Sequence, residues 1–365
     1  MHKFTLGIEE EFQILDSDSL KLHSQMSKII DGGKVFLKER IKEEMHQSMV
    51  EMGTNICENI GQARDEVSYL RQQIFELAAK EGLSVAAAGT HPFSHWSEQL
   101  ITPDPRYDQL IAEMKDVARS NLIFGMHVHV AIPNREEGLH VMNTARYFLP
   151  HLYALSTNSP FWEGRETGFK SFRSKVFDKF PRTGIPPYFS SVSEYDEFVN
   201  LLVKTNCIDN GKKIWWDIRL HPFYPTVEFR ICDMIMTVDE VLCVASLMQC
   251  IIAKLSKLHQ KNQSFRSYRR ILINENKWRA ARWGVESKLI DFGRQEEVAF
   301  PVLINELLEF IDDVVDELGC RTEVNYVYQM LEQGSGADRQ LKVYEDTKDL
   351  KKVMEYVVAQ TRKGL

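Results

Sequence analysis

The chain divides into segments in which apolar and polar residues alternate and longer segments with apolar residues at helical spacing. Because side chains alternate between the two faces of a strand, the alternating segments predict strands with one face on a core. The predicted strands are 4–14, 48–57, 83–89, 122–132, 213–220 and 226–233. The predicted helices are 63–81, 106–120, 138–157, 193–204, 238–260, 300–318 and 343–362.

Several predicted strands follow one another directly, which favours an α+β fold with a mainly antiparallel sheet. We expect a single domain over 1–365, with a sheet-bearing core over about 1–260 and a helical part over about 261–365. The stretch 164–191 is too irregular for a helix or a strand. Long ordered loops of this kind often bind ligands or close over them.

Five of the predicted strands have one apolar face and one face of ionisable side chains. In the first strand Glu9 and Glu11 share a face with Gly7, whereas alternation places Glu10 on the apolar side with the helices. The matching residues of the other strands are Glu51, Gly125, His127, His129, Asp217, Arg219, Glu228 and Arg230. In an antiparallel sheet with helices on one side, all of these residues would meet on one open surface.

Four carboxylates on that surface, those of Glu9, Glu11, Glu51 and Glu228, would repel one another strongly unless cations lay between them. Oxygen ligands with one or two imidazoles suit Mg²⁺ or Mn²⁺. Two or more such ions beside Arg219 and Arg230 would form a cradle for a nucleoside triphosphate. The glycines Gly7 and Gly125 would leave room for a ligand. A charged face on one strand is more often the solvated side, but its recurrence on five strands favours a metal–nucleotide site.

Composition excludes several classes of protein. The 365 residues are 44% hydrophobic and 27% charged, a soluble globular balance, and the net charge of -7 argues against a nucleic-acid-binding protein. No apolar run approaches the roughly 20 residues needed to cross a membrane, and no secretory segment precedes the first strand. Six cysteines without a C-x-x-C pair indicate reduced thiols and the cytoplasm.

The chain also lacks the common phosphate-loop, dinucleotide, zinc-protease and serine-hydrolase motifs. The residues alone therefore leave a multi-metal hydrolase and a nucleotide-using enzyme as candidates.

Six short motifs occur in a characteristic order: Gly7-Ile-Glu-Glu-Glu-Phe12, Gly89-Thr-His-Pro92, Gly125-Met-His-Val-His129, Trp216-Asp-Ile-Arg219, Val227-Glu-Phe-Arg230 and Asn276-x-Trp278-x-x-x-Arg282-x-Gly284. Over about residues 4–291 the set resembles the type 2 glutamate–cysteine ligase family, whose bacterial members are often called carboxylate–amine ligases. The resemblance implies the fold of glutamine synthetase, a curved, mainly antiparallel sheet that forms a funnel with helices outside. It also implies that ATP phosphorylates a glutamate-like carboxylate and that an amine, with cysteine as one candidate, then displaces the phosphate.

The resemblance assigns roles to individual residues. The metal ligands would be Glu9, Glu11, Glu51, His127 and Glu228, for two or more ions of Mg²⁺ or Mn²⁺, and Glu228 and Arg230 would act in catalysis. Contacts to substrate or nucleotide would come from Arg219, Arg230, His129, Arg173 and Arg282. A structural hydrogen bond for His129 and a surface salt bridge for Arg173 remain alternatives.

The partners implied are small molecules, with no nucleic acid and no membrane, and a homodimer stays open. Two other functions also stay open: a phosphotransferase of the same fold and a non-catalytic protein that binds ATP or an amino acid. The identity of the amine cannot be read from the sequence.

Overall fold

The computed structural model describes residues 3–365, apart from the side chains of residues 35 and 36. Its strands are β1 Leu6–Asp16, β2 Ile41–Glu43, β3 Met49–Gly53, β4 Leu83–Ala86, β5 Gly125–Ala131, β6 Phe161–Trp162, β7 Arg165–Glu166, β8 Thr183–Gly184, β9 Trp215–Trp216, β10 Ile218–Leu220, β11 Thr226–Asp233, β12 Lys288–Asp291 and β13 Glu296–Ala299. Its helices are α1 Met26–Leu37, α2 Ile60–Lys80, α3 Pro105–Met114, α4 Asp116–Arg119, α5 Arg135–Ala145, α6 Leu149–Ser156, α7 Arg173–Phe177, α8 Val192–Lys204, α9 Val238–Gln260, α10 Arg270–Trp283, α11 Phe300–Leu318, α12 Arg321–Asn325, α13 Val327–Gln333, α14 Gly336–Thr347 and α15 Leu350–Thr361.

The main sheet has seven strands, in the order β10-β11-β5-β1-β3-β2, and β4 pairs with β1 beyond the end of β5. All of its pairings are antiparallel. Strand β1 is central because it pairs with β3 along one edge and with β5 and then β4 along the other. The predicted α+β class with a mainly antiparallel sheet is confirmed.

The apolar face of β1 is buried as alternation predicts, with Leu6, Ile8, Phe12 and Ile14 each at most 1% exposed. Helices α2 and α9 pack on this side of the sheet, α2 on β1 and α9 on β5. The opposite face of the sheet is therefore the one left for polar side chains.

Helix α9 corrects the expectation that no apolar run is long enough to cross a membrane. Val238–Gln260 qualifies by length and composition, and it is the one such helix in the part of the chain that the structure describes. However, 83% of its most apolar window is buried inside the protein, where α2, α5 and α11 pack on it. Burial of this kind is typical of the core helix of a globular fold.

Some predicted elements differ from those observed. The stretch 164–191 is more regular than expected, because it contains α7 and two short strands. The predicted helix 343–362 is interrupted at Lys348, whose φ of 53° ends α14 before Asp349 caps α15. Residues 261–365 contain helices α10 to α15, with the hairpin β12–β13 between α10 and α11.

Glu10 lies on the helix side of β1, as alternation predicts, where it forms a buried ion pair with Arg71 of α2. Arg71 Nη2 donates to Glu10 Oε1 at 2.6 Å, and the two residues are 0% and 2% exposed. The same guanidinium donates to the carbonyl oxygens of Ile235 and Met236, and more weakly to that of Thr361 at 3.4 Å. One side chain thus joins β1 to two distant segments of the chain.

His91 in the Gly89-Thr-His-Pro92 motif is a buried structural residue. One ring nitrogen, Nε2, lies 2.9 Å from the carbonyl oxygen of Leu20, and the other, Nδ1, accepts from the backbone N–H groups of Phe93 and Ser94. Burial lowers the pKa of His91 from 6.5 to about 4. This hydrogen-bond pattern requires a neutral ring, because a protonated Nδ1 could not accept either bond.

We expect the contribution of His91 to stability to depend on pH. Its pKa is lower in the folded than in the unfolded state, so this contribution is complete above pH 6.5 and is lost as the pH falls towards 4. The free energy of unfolding of the unaltered protein should therefore fall more steeply than that of His91→Asn, by up to about 1.4 kcal/mol per pH unit. Denaturant titrations at several pH values in this interval measure the difference, and parallel curves would contradict the prediction.

Candidate active site

The registers of the sheet bring the predicted ionisable residues onto one face. Glu11 lies opposite Glu51, and Glu9 lies opposite His127. On the next strands Glu228 lies between His129 and Arg219. Because directly opposed residues project to the same side of a sheet, five strands contribute to one polar surface.

Four carboxylates on this surface form an acidic cluster, which consists of Glu9, Glu11, Glu44 and Glu51. Burial and the charges of neighbouring carboxylates raise the pKa of Glu11 and Glu44 to about 7 and that of Glu51 to about 8. Glu9 differs: although burial opposes its charged form, the imidazoles of His127 and His129, at 3.4 and 3.9 Å from Oε2, hold its pKa well below the usual range. The raised pKa values indicate that nearby cations do not fully compensate the charge of the cluster.

Lys42 of β2 is the cation that reaches into the acidic cluster. Its Nζ lies 2.6 Å from Glu51 Oε1 and 3.4 Å from Glu9 Oε1. The lysine is half-exposed, so its ammonium group enters the cluster from the solvent side.

The donor set of this surface fits a divalent cation. Hard oxygen ligands dominate it, and the Nε2 atom of His127 is buried without a hydrogen-bond partner. Within the described residues, no three histidine, cysteine or acidic side chains already converge as a metal-binding group. Glu51 instead reaches Lys42, and Glu11 accepts from the backbone N–H of Gly125 at 2.5 Å. Ion binding would therefore require rotation of these side chains, whose charge and chemistry are suitable.

Glu228 is held between two arginines. Arg219 donates to both of its oxygens, with Nε at 2.7 Å and Nη2 at 3.1 Å, and Arg230 Nη1 donates to Oε1 at 2.5 Å. Although burial opposes the charged form, the guanidinium groups of Arg230 and Arg219 hold the pKa of Glu228 far below its usual range. Arg219 also donates to the backbone carbonyls of Lys212 and Ile214. Arg219 is therefore positioned to fix Glu228, and it is not one of the residues that line the adjoining cavity.

A β-bulge places Arg230. The register of β11 on β5 shifts between Phe229 and Cys232, and within this shift the N–H of Arg230 donates to the carbonyl oxygen of Asp217. A bulge bends a strand and changes the direction of a side chain. The Arg230 guanidinium extends over Glu228 towards His127, and it lines the cavity beside the acidic cluster.

Arg173, at the first position of α7, is buried instead of forming the surface salt bridge that the sequence left open. It is 4% exposed, and among the described residues it makes no ion pair with a carboxylate within 4.0 Å. Its backbone N–H donates to Ser159 Oγ, which in turn donates to the buried Asp233. Its guanidinium crosses the backbone of Gly125 and lines the cavity near Glu11. The expected room beside Gly125 is thus filled by an arginine of the chain itself.

We expect Gly125→Ala to disturb the candidate site through Arg173. A Cβ at position 125 would lie 2.8 Å from Arg173 Cζ and closer still to Nη2, so the guanidinium would have to move. Displacing a positioned group by about 1 Å can cost about 100-fold in rate. The measurement is the activity of the site, as kcat and KM, in Gly125→Ala, Arg173→Ala and the double variant. If Gly125→Ala acts by moving Arg173, it causes no further loss in the Arg173→Ala background, and a full additional loss would contradict this explanation.

A cavity of about 370 Å³ opens beside the acidic cluster. Predicted residues on its wall are Glu11, His127, Arg173 and Arg230. Residues that the sequence did not single out are Glu44, Arg106, Tyr107, Lys212 and Lys213. Most of these lie in loops or at element ends, where alternation gives no information. One sequence feature could have indicated Lys212 and Lys213 as site residues: this cationic pair comes just before Trp215-Trp216.

Besides Arg219, two predicted contact residues, His129 and Arg282, lie outside this cavity wall. His129 Nδ1 is 3.0 Å from Thr226 Oγ1, a structural hydrogen bond, while its Nε2 is 3.9 Å from Glu9 Oε2. Arg282 lies on α10 with its guanidinium over the ring of Trp283, and the described residues show no hydrogen bond or ion pair from it to the acidic cluster. Its contact with a nucleotide stays a prediction. Trp278 and Trp283, on the same helix, are 41% and 39% exposed.

Comparison with known proteins relates this arrangement to a family of ligases. A family model described as glutamate–cysteine ligase family 2 matches residues 5–356. A protein of Solibacter usitatus, provisionally named glutamate–cysteine ligase 2, is 56% identical over 362 residues, which cover 99% of this chain and 94% of the relative. A protein of Chloroflexus aurantiacus with the same provisional name is 54% identical and covers 99% and 93%.

Solved structures show the same fold at low sequence identity. A glutamate–cysteine ligase of Francisella tularensis, crystallised with AMP, matches with a TM-score of 0.70 at 12% identity, covering 99% of this chain and 90% of that one. A bifunctional glutathione synthetase of Pasteurella multocida matches with a TM-score of 0.70 at 15% identity, covering 99% of this chain and 53% of that one. The likeness confirms the expected fold class.

Proposed function

The chain belongs to glutamate–cysteine ligase family 2, and from this premise we propose that it is an ATP-dependent ligase that joins a glutamate-like carboxylate to an amine through an acyl phosphate. The observation that carries the proposal is the position of Arg230 and Arg173 on the wall of a cavity that is also lined by Glu11 and Glu44 of the acidic cluster. Guanidinium groups bind carboxylates and phosphates, while buried carboxylates with surplus charge call for cations. A site for phosphoryl transfer to a carboxylate needs both.

We propose that Glu9, Glu11, Glu51, His127 and Glu228 hold two or more ions of Mg²⁺ or Mn²⁺, and that Glu44 joins this donor set. Its place in the acidic cluster and on the cavity wall supports the addition. When bound, such ions neutralise phosphate charge and act as Lewis acids towards the transferred phosphoryl group.

The proposed reaction has two steps. A carboxylate oxygen of the acid attacks the γ-phosphorus of ATP, the bond from that phosphorus to the β–γ bridging oxygen breaks, and ADP leaves. The amine nitrogen then attacks the acyl carbon, the bond from this carbon to the phosphate oxygen breaks, and phosphate leaves while the nitrogen loses a proton. Fixed positive charge that faces the developing negative charge lowers both barriers.

The residues of the chain supply this positive charge. Arg230 is fixed by Glu228, and Arg219 holds Glu228 in turn, so the Arg230 guanidinium is presented in one orientation. Arg173 is fixed through its backbone to Ser159 and Asp233. We propose that Arg230 contacts the transferred phosphoryl group and that Arg173 contacts a carboxylate or phosphate oxygen. Arg219 and His129 act through other residues.

We also propose that the protein is cytoplasmic and that its substrates are small molecules. All six cysteines are free thiols, five of them buried, as suits the reducing cytoplasm. Small molecules are the proposed substrates, because the cavity is of the size of many ligand sites. The amine is left to experiment.

Phosphate release from ATP with Mg²⁺, measured with glutamate and a panel of amines that includes cysteine, tests the proposal. Release that requires both glutamate and one amine, with the amide as product, is the expected result. Release with a single organic acceptor and a stable phosphorylated product would instead establish a phosphotransferase. Binding of ATP without any turnover across the panel would favour a binding protein.

A further inference from the structure

Helix α10 and the residue after it contain the last of the six motifs, Asn276 to Gly284. None of the residues of α10, all of which the structure describes, lines the cavity. Contact with a substrate in the cavity therefore does not explain the motif. The buried face of α10 packs instead near the two segments that carry Arg230 and Arg173, and this contact is made through a charged side chain.

Lys277 is that side chain, and it is only 6% exposed. Its Nζ donates to both carboxylate oxygens of Asp217, at 3.1 Å to Oδ1 and 2.8 Å to Oδ2. The same Nζ lies 3.9 Å from Asp178 Oδ1. Because a buried charge is costly unless it is paired, the ammonium group strongly favours the one arrangement in which both aspartates stay beside it.

Asp217 supports the β-bulge that places Arg230. It lies between β9 and β10, where its N–H donates to the carbonyl oxygen of Gly184 at 2.9 Å. Its own carbonyl oxygen accepts from the N–H of Arg230 at 2.8 Å, within the register shift of β11. Because a bulge sets the direction of a side chain, a displacement of Asp217 would turn the Arg230 guanidinium.

The segment of Arg173 is held by α10 on both sides. Asp178 is the C-cap of α7, a helix of five residues that begins at Arg173. On the other side, the carbonyl oxygen of Ala281 in α10 accepts from the N–H groups of Lys170 and Ser171, at 2.8 and 3.0 Å. A single helix therefore contacts the supports of both guanidinium groups on the cavity wall.

We propose that Lys277 is a positioning residue that holds Arg230 and Arg173 in a fixed relative orientation across the cavity. This role rests on the proposed reaction and adds the element that aligns its two guanidinium groups. Positive charges lower a barrier only when they already face the developing negative charge. Lys277 would thus contribute to the rate through its two aspartates, without contact with a substrate.

Steady-state phosphate release from ATP with Mg²⁺, glutamate and the active amine, measured for Lys277→Met, tests the role. Methionine fills much of the same space but carries no charge. We expect kcat to fall by about 100-fold, the loss that a displacement of about 1 Å can cause. KM should change much less than kcat, because the alignment is needed mainly in the transition state. Lys277→Arg keeps the charge and should recover most of kcat.

A control and a compensated variant separate position from stability. Lys254→Met removes a lysine of α9 that pairs with Asp313 at 2.6 Å and does not line the cavity, so its kcat should not change. Lys277→Met leaves Asp217 buried without its cation and should lower the denaturation midpoint. In the double variant Lys277→Met/Asp217→Asn this buried charge is absent, so most of the midpoint should return while kcat stays low.

Three results would overturn the inference. The first is a near-normal kcat for Lys277→Met. The second is a kcat that returns together with the midpoint in the double variant, which would assign the loss to unfolding. The third is full additivity of the losses caused by Lys277→Met and Arg173→Ala, because a residue that acts through Arg173 should cost less once this arginine is absent. In all three cases phosphate release by the unaltered protein leaves the proposed function intact, whereas its absence would overturn both.

Discussion

Replacing Glu228 with glutamine is expected to lower kcat for phosphate release by about 10²–10³-fold, the loss typical when one preorganised electrostatic contact is removed from a reaction centre. Glutamine keeps the shape of the side chain but removes the charge that now faces two guanidinium groups. Arg219 and Arg230 would then repel each other without compensation, and Arg230 would no longer be fixed beside the cavity. The substitution also removes a proposed ligand of the ions. Steady-state kinetics with saturating ATP and glutamate measure the effect.

This experiment must distinguish a loss of protein stability from a loss of catalytic rate. Glu240→Gln is a suitable control, because Glu240 is a buried carboxylate of α9 that pairs with Arg339 and does not line the cavity. Glu240→Gln should lower the denaturation midpoint while keeping kcat. A Glu228→Gln variant that retains near-normal kcat would remove Glu228 from the catalytic set and with it the proposed role of its arginines.

Replacing Arg71 with methionine is expected to have the largest effect on stability, a decrease of about 3–5 kcal/mol in the free energy of unfolding. The reason is that the Glu10 carboxyl group would be left at a position only 2% exposed, with no partner of opposite charge. The carbonyl groups of Ile235 and Met236 would lose their side-chain donor at the same time. Urea denaturation followed by fluorescence and circular dichroism measures the change.

A double-mutant cycle tests whether the unpaired charge is the cause. Glu10→Gln combined with Arg71→Met leaves no buried charge, so the double variant should be less destabilised than the sum of the two single variants. Additive losses would show that packing, not charge, accounts for the effect. A loss below about 1 kcal/mol for Arg71→Met alone would contradict the prediction, since it would place the pair among weak surface ion pairs.

Alternation along the strands predicted the polar face correctly because the rule depends only on local geometry. Glu9, Glu11, His127 and Glu228 lie on that face, and Glu10 lies on the other, as the period of two requires. The ends of the strands were predicted less accurately than their faces. Strand 48–57 shortens to Met49–Gly53, and 213–220 divides at Asp217 into β9 and β10, with β9 paired to β8 in a separate small sheet.

Helix α10 could not be predicted because its buried face is partly polar. Its buried residues include Asn276 and Lys277, which bond to Ile290 and Asp217 instead of packing as apolar groups. Helix α1 contains two adjacent glycines, which disfavour a helix by intrinsic propensity. A Cβ at either glycine would come within 3.2 Å of Leu77, so close packing on α2 accounts for them.

The residues of the site that the sequence did not reveal depend on contacts between distant segments. Glu44 joins the acidic cluster from the segment after β2, and Lys212 reaches the cavity from a loop. No periodic pattern marks such positions. The structural role of Gly125, which is to leave space for the Arg173 guanidinium, likewise could not be predicted, because the two residues are distant in the sequence.

The hydrogen bonds that Arg71 donates to distant segments of the chain have a consequence for biosynthesis. Strand β1, which carries Glu9 and Glu11, is translated before the other described strands and helices. Yet Arg71 links its Glu10 to residues 235, 236 and 361, and the N–H of Ala87 donates to the side chain of Thr361. Until residues 235, 236 and 361 have been synthesised, the charged pair beneath β1 lacks these partners. The nascent chain therefore cannot complete the surroundings of β1 until residue 361 has left the exit tunnel. The edges of β1 that stay exposed until then are the surfaces that a chaperone would protect.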